Sequence, residues 1–245
     1  MPRYSITAEY DGTAFVGWQV QAEGASVQGV LATAIEAFSG DKCSVRGAGR
    51  TDSGVHALGQ VAHFDLSKDW DPFRVSEAIN FHVRPHGVCI LNCHRVPSTF
   101  DARFSAVQRH YLYRLLTRRA QPVLDVNRVW WLTHPLDACS MQEAAKVFVG
   151  HHDFTTFRAA QCQANSPLRT IDSFNVSQQG DEIRIEISAR SFLHNQVRSM
   201  VGSLKLVGEG KWTPADVKAA LSARDRKACG PVAPACGLYL ARVDY

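Results

Sequence analysis

The sequence predicts an α+β fold: two tandem split-βαβ, ferredoxin-like halves joined into one antiparallel sheet with a central cleft. Three observations predict it. Strand-like alternation and helix-like spacing follow one another in the order strand, helix, strand, strand, helix, strand. That order then recurs in the second part of the chain. At 245 residues the chain is long enough to hold either one large domain or two smaller ones.

The elements of the first half read in order. Tyr4, Ile6, Ala8 and Tyr10 alternate with more polar neighbours, as in a half-buried strand. Ser26 then stands before Val27, Val30, Leu31, Ala34, Ile35 and Phe38, an apolar helical stripe stopped by Gly40. Residues 43–50 and 60–66 read as extended. Asp71-Pro72 supplies a cap and a proline at the first helical position, opening a short helix toward Ile79. Residues 88–96 close this half as a strand.

In the second half, residues 109–116 alternate, placing Tyr111, Tyr113 and Leu115 on one face and His110, Leu112 and Arg114 on the other. Ser140 and Glu143 have the spacing of a capping box before Ala144, Ala145 and Phe148, with Gly150 as the stop. Ile183, Ile185, Ile187 and Ala189 mark the clearest strand. Val197, Met200, Val201, Leu204 and Val207 form a helical stripe, and Thr213-Pro214 opens a further helix with Val217, Ala220 and Leu221 inward. Residues 237–245 end the chain as a strand. The boundary is expected near Ser105, giving halves of residues 1–105 and 106–245.

Composition narrows the function. The first residues, MPRYSITAEYDG, are not a basic end followed by an apolar run, and no stretch has the apolar length of a membrane span. A cytoplasmic protein with no membrane partner is expected. Seven cysteines without a C-x-x-C, and no histidine pair at zinc spacing, predict buried free thiols and no structural metal. The net charge is +4, but the basic residues are seven Lys against twenty Arg, and arginine's planar fork suits phosphate and stacks on rings. No acid stands between Asp101 and Asp125. Arg103, Arg109, Arg114, Arg118 and Arg119 do, with Tyr111 and Tyr113 among them. Charge threaded with aromatics suits nucleic acid, whereas a solvated strand edge carries such charge with no ligand. On composition alone the two readings stand level.

The stretch GAGRTDSGVHALGQ, residues 47–60, surrounds Asp52 with four glycines. Gly49 and Gly54 have the spacing of a phosphate-binding P-loop, but Val55 and His56 follow where lysine and serine or threonine belong. Asp52-Ser53-Gly54 resembles an aspartic protease triplet; this chain holds no second such triplet to share the proton, so that reading survives only if a homodimer supplies it. A plain Asp-Gly turn is the third reading.

A fourth comes from resemblance. GRTDSGVHA resembles the G-R-T-D-A-G-V-H-A signature of the TruA family of tRNA pseudouridine synthases. The likeness continues through Ala8 to Gly12, Gly17-Trp18-Gln19, Ser26-Val27-Gln28, Phe100 to Ser105, Tyr111-x-Tyr113, Gly150 to Phe157, Phe192 to Gly202 and Gly237-Leu238-Tyr239. Two departures stand out: Ser53 replaces an alanine, and Arg84 and Gly87 replace the leucine and aspartate of the family's stretch over residues 80–88.

The resemblance implies an isomerase that turns uridine into pseudouridine at positions 38 to 40 of the tRNA anticodon stem-loop. It implies no cofactor and no metal, a homodimer, and a central cleft that is catalytic. It makes Asp52 the essential residue, Tyr111 the contact to the target base, Arg198 the partner of the aspartate, and Arg50 a grip on the phosphate beside the flipped nucleotide. The chemistry asks for those residue types. The base must leave C1′ and return by C5, which an ionised carboxylate promotes by nucleophilic attack or proton abstraction. Flipping the base out costs a few kcal/mol, and stacking on an aromatic ring returns about 1–3 kcal/mol. His56 reads as a cap of the loop more than as a catalyst. A catalytically silent RNA-binding module is the rival from another class, but simple binding has no use for a carboxylate facing a polyanion.

Overall fold

The computed structural model describes residues 1–245. In chain order the strands and helices are β1 (Arg3–Tyr10), α1 (Val27–Ser39), β2 (Arg46–Gly47), β3 (His56–Asp65), α2 (Pro72–Val83), β4 (Val88–Val96), β5 (Gln108–Thr117) and β6 (Trp130–Leu132). There follow α3 (Ala138–Ala145), β7 (Gly150–Asp153), β8 (Leu168–Gln179), β9 (Glu182–Ala189), α4 (Gln196–Gly208), α5 (Pro214–Ala223) and β10 (Leu238–Asp244). The chain divides into two units: Met1–Val107 with Tyr239–Tyr245, and Gln108–Leu238. Each is mixed α/β on a mostly antiparallel open sheet.

In the first unit the strand order is β4-β1-β3, antiparallel throughout. The second edge of β3 is shared. β10 runs parallel against His56 and Ala57, and β2 lies antiparallel against Ala62 and His63. Tyr4, Ile6, Ala8 and Tyr10 are all buried, as the alternation of β1 requires. α1 begins and ends on the residues its sequence signals name: Ser26 Oγ accepts from the Gly29 amide at 3.2 Å, and Gly40 closes it with φ +78°. α2 is capped by Asp71 and runs four residues past Ile79, to Val83. Its Asn80 clamps β4, donating to Ile90 O at 3.0 Å and accepting from the Ile90 amide at 2.7 Å.

In the second unit the order is β5-β9-β8-β7, antiparallel, with β6 parallel to the end of β5. Ile183, Ile185, Ile187 and Ala189 are buried, and so is the stripe of α4. The helix α5 starts on a true capping box between Thr213 and Asp216.

Four expectations change. The loop carrying Asp52 is shorter than read, because β3 begins at His56 and not at Gln60; only Arg46–Gly47 of the preceding extended stretch is strand. Ser140 is no cap. Asp137 is, taking the Ser140 amide at 3.0 Å, so α3 starts earlier and ends at Ala145. The last strand, placed by chain order in the second half, packs with the first unit. The Val107 amide donates to Asp244 O at 2.8 Å and the Tyr245 hydroxyl to Ala102 O at 2.7 Å. Finally, the seven cysteines are free, but none is fully buried: Cys89 and Cys139 are exposed and the rest half-buried. Partial burial still pushes the Cys43 thiol up to about 11 and the Cys93 thiol to about 12, which leaves both protonated at neutral pH. No helix is long and apolar enough to cross a membrane.

Candidate catalytic loop and substrate residues

Asp52 sits in the loop of residues 48–55, between β2 and β3. The loop is hydrogen-bonded along its length. The Ala48 amide donates to Val61 O at 2.8 Å, and the Gln60 side chain donates to Gly49 O at 2.8 Å. Thr51 O accepts from the Trp18 amide at 3.0 Å, and the Val55 amide closes a turn on Asp52 O at 3.1 Å. Gly54, at φ +76°, supplies the left-handed step of that turn and donates to Phe15 O at 3.4 Å. Ser53, the departure from alanine, adds a hydroxyl bond to the same carbonyl at 3.3 Å. Asp52 itself is half-buried and Arg50 is exposed.

The wall behind this loop is the segment from Asp11 to Trp18, and two glycines let it come close. A Cβ on Gly12 would stand 2.1 Å from Val55 O; one on Gly17, whose φ is +119°, would stand 2.6 Å from Thr51 O. Neither approach is open to another residue without the backbone moving. Tyr10 adds a buried hydroxyl contact of 2.8 Å to Thr51 Oγ1. His56 is 2% exposed and stacks on Tyr239 with ring centroids 4.7 Å apart. Its Nδ1 accepts from the Gly12 amide at 3.0 Å, so its proton lies on Nε2. Asp11 Oδ1 is 3.2 Å from the same nitrogen, but it already accepts from the Thr13 amide and hydroxyl, and a charged pair is not the sense of that contact. His56 positions the loop.

The other two expected site residues lie in the second unit. Tyr111, on β5, is half-buried with its ring edge-on to Phe192 at 5.1 Å and 88°. Tyr113, two residues on and on the same face, differs completely. It is fully buried, donates to Pro234 O at 2.8 Å, and burial holds its phenol well above the usual range. Arg198 lies in the first turn of α4, after Asn195 at φ +60°. Its Nε donates to Ala233 O at 2.7 Å and its Nη1 to Asn195 Oδ1 at 3.0 Å, while the Ala233 amide returns a bond to Arg198 O at 3.0 Å. That guanidinium is fixed in place by its own helix and the 233 loop.

The family model described as tRNA pseudouridine synthase matches residues 6–105 and 144–245. The chain belongs to the TruA family of tRNA pseudouridine synthases. It is therefore an isomerase. Proteins carrying the name tRNA pseudouridine synthase A are similar over its whole length. The one from Azorhizobium caulinodans is 60% identical, covering 100% of this chain and 95% of its own. Those from Rhizobium meliloti and Sinorhizobium fredii are each 58% identical with 100% of both chains covered.

Within this pseudouridine synthase the basic run of residues 103–119 splits in two. Arg109 is buried and donates to Arg190 O at 2.6 Å, and Arg114 is tied to Glu182 at 2.8 Å and Asp125 at 3.1 Å. Those two hold the fold. Arg103, Arg118 and Arg119 are exposed. Sequence reasoning gave no role to Tyr10, Gln60 or Trp18, which brace the Asp52 loop. All three stand inside the stretches that carry the resemblance or surround Asp52, but only three-dimensional proximity assigns them that work.

Proposed function

We propose that this enzyme forms pseudouridine at positions 38 to 40 of the tRNA anticodon stem-loop, with Asp52 as the essential residue, and that it works as a cytoplasmic homodimer. The same reading takes its units as tandem split-βαβ halves. What carries the reading is one arrangement: a half-buried carboxylate on a loop whose backbone is pinned at Ala48, Gly49, Thr51 and Gly54. A group that must meet a reacting sugar or base needs such fixed placement.

In this mechanism the N1–C1′ bond breaks, the uracil turns, and a C5–C1′ bond forms. The C5 proton leaves and N1 ends protonated, so the product is an isomer. Asp52 stabilises or traps the fragment between those bonds. Arg198, a fixed guanidinium, is taken as the partner of that carboxylate. Tyr111 stacks on the flipped base, and its half-exposed ring with Phe192 behind it supports that role. Arg50, exposed beside Asp52, grips the neighbouring phosphate. A Cβ on Gly49 would meet nothing within 4 Å, which leaves clearance for a nucleotide next to Arg50.

The test incubates unmodified tRNA with wild type and with Asp52→Ala, then maps pseudouridine by chemical derivatisation. Product at positions 38 to 40 from wild type alone is expected. Product from Asp52→Ala at the wild-type rate would remove Asp52 from the chemistry.

A further inference from the structure

The first unit holds a cavity of about 300 Å³ to which the 48–55 loop contributes nothing. Arg3, Asp41, Lys42, Arg46, His63 and Asp65 line it. That volume accepts a nucleotide-sized group.

Its charges do not cancel. Arg3 takes both oxygens of Asp65 at 2.8 Å and donates onward to Ser98 O at 2.6 Å and Phe100 O at 2.7 Å. That pair is neutral and immobile. Asp41 Oδ2 accepts from the Ser67 amide at 2.8 Å and hydroxyl at 2.9 Å. Lys42 has only a 3.8 Å approach to Glu36, and Arg46 is exposed with no ion pair. Met1 brings its N-terminal ammonium to the same lining, so Lys42, Arg46 and that ammonium outnumber Asp41 and the cavity is net positive, the sign that a phosphodiester requires.

The cavity is also lined by a buried histidine. His63 is 3% exposed, and its Nδ1 accepts from the Ala102 amide at 3.0 Å. The proton therefore sits on Nε2, for which the protein supplies no acceptor. Burial pushes the imidazole's pKa down, so the ring is a neutral donor. Arg46 pairs with His63 across β2 and β3, which puts the two side chains on one face of the sheet.

We propose that this cavity is a phosphate subsite that takes one phosphodiester of the bound RNA, with Arg46 and Lys42 supplying charge and His63 Nε2 a directed hydrogen bond. The proposal rests on the reading that the substrate is tRNA.

The test uses the full chain, its Arg46→Gln and Lys42→Gln variants and the double variant. Affinity for unmodified tRNA is measured across a salt series, and the ¹⁵N-labelled imidazole of His63 is followed by NMR. Expected are a rise in Kd of about fivefold per substitution and a salt slope reduced by about 0.7–0.9 for each lost contact. The kcat at saturating tRNA stays at the wild-type value, and the His63 resonance moves on adding tRNA. An unchanged Kd and slope in the double variant, with His63 unmoved by tRNA, overturns the subsite. If inorganic phosphate moves His63 while the double variant keeps its tRNA affinity, the cavity binds free phosphate and the RNA assignment is overturned. Wild type that binds tRNA yet forms no pseudouridine overturns the proposed function alone, because the affinity and resonance arms read the cavity directly.

Discussion

The Tyr10 hydroxyl and Thr51 Oγ1 lie 2.8 Å apart in the buried floor beneath the Asp52 loop. Tyr10 ends β1, so this contact ties the loop to the central strand of the first unit's sheet. A buried hydroxyl pair of this kind contributes about 1 kcal/mol. Tyr10→Phe is expected to lower Tm by about 2–4 °C and to lower kcat by a larger factor than KM changes, because the loop loses definition before the fold does. Calorimetry and steady-state kinetics on the same preparation check it; an unchanged kcat would detach Tyr10 from the loop's geometry.

Gly17 sets the distance between that loop and its wall. With φ at +119° and Thr51 O 2.6 Å from a hypothetical Cβ, Gly17→Ala must push the two segments apart. The Trp18 amide bond to Thr51 O is the first casualty. Activity is expected to fall by about 100-fold or more, since small misplacements of a catalytic group carry costs of that size. Circular dichroism should still report a folded chain. Gly49→Ala makes the companion measurement: nothing in the protein lies within 4 Å of its Cβ, so any loss there is a loss of RNA binding, not of folding.

How much of this was legible in the sequence depends on which residues speak locally. The caps Ser26, Asp71 and Thr213 bond their own helix ends, and so the helices they open could be read from neighbours in the chain. Strand β8, the longest, gives no clear alternation in the sequence. A bulge between Ile171 and Ser173 breaks its alternation, so Ile171 and Phe174 are buried three residues apart, not two. The Ser140 box had the right letters one turn too late, because Asp137 reached the free amides first. Arg109 and Arg114 looked like their exposed neighbours, since the Arg190 carbonyl and Glu182 that engage them come from distant chain. For the candidate site, motif resemblance names Asp52 and Tyr111 as expectations. The bracing by Tyr10, Trp18 and Gln60 is not legible that way, because its information lies in which strands pair.

Glu209 gives the second unit an acid-sensitive clasp at the end of α4. Burial alone would push its carboxyl up, but Lys205 at 2.5 Å, Lys211 at 3.1 Å and His134 at 2.9 Å outweigh it, and the group titrates at about 2. An unfolded glutamate titrates at about 4.3. The folded value is the lower one, so the stabilisation is fully present above about pH 4.3 and is lost as pH falls toward about 2. Glu209→Gln should lower Tm at pH 7 by about 5–10 °C, because it removes the charge that a buried carboxylate shares with Lys205 and with the more exposed Lys211 and His134. The variant's Tm should also fall less steeply than wild type between about pH 4.3 and 2. Thermal melts across that range decide it: parallel curves would mean that Glu209 carries no pH-linked stability.

Tyr111 and Tyr113 share a face of β5, yet substitution should separate them cleanly. Tyr113 is fully buried and its hydroxyl serves Pro234 O. Tyr113→Phe leaves that carbonyl without its donor, so a loss of about 1 kcal/mol in folding free energy is expected, with kcat near wild type. Tyr111 is half-buried, with its ring edge-on to Phe192. Tyr111→Ala is expected to lower kcat/KM by about 10–100-fold, the equivalent of one lost base stack of roughly 1–3 kcal/mol, while changing Tm little. Tyr111→Phe keeps the stack and removes only the hydroxyl. A large fall in kcat for that variant assigns the hydroxyl a proton-handling step at C5; activity equal to wild type leaves Tyr111 with stacking alone. Urea melts run beside the kinetics keep the two effects apart, because a Tyr111→Ala protein that melts early would make its lost activity a folding defect.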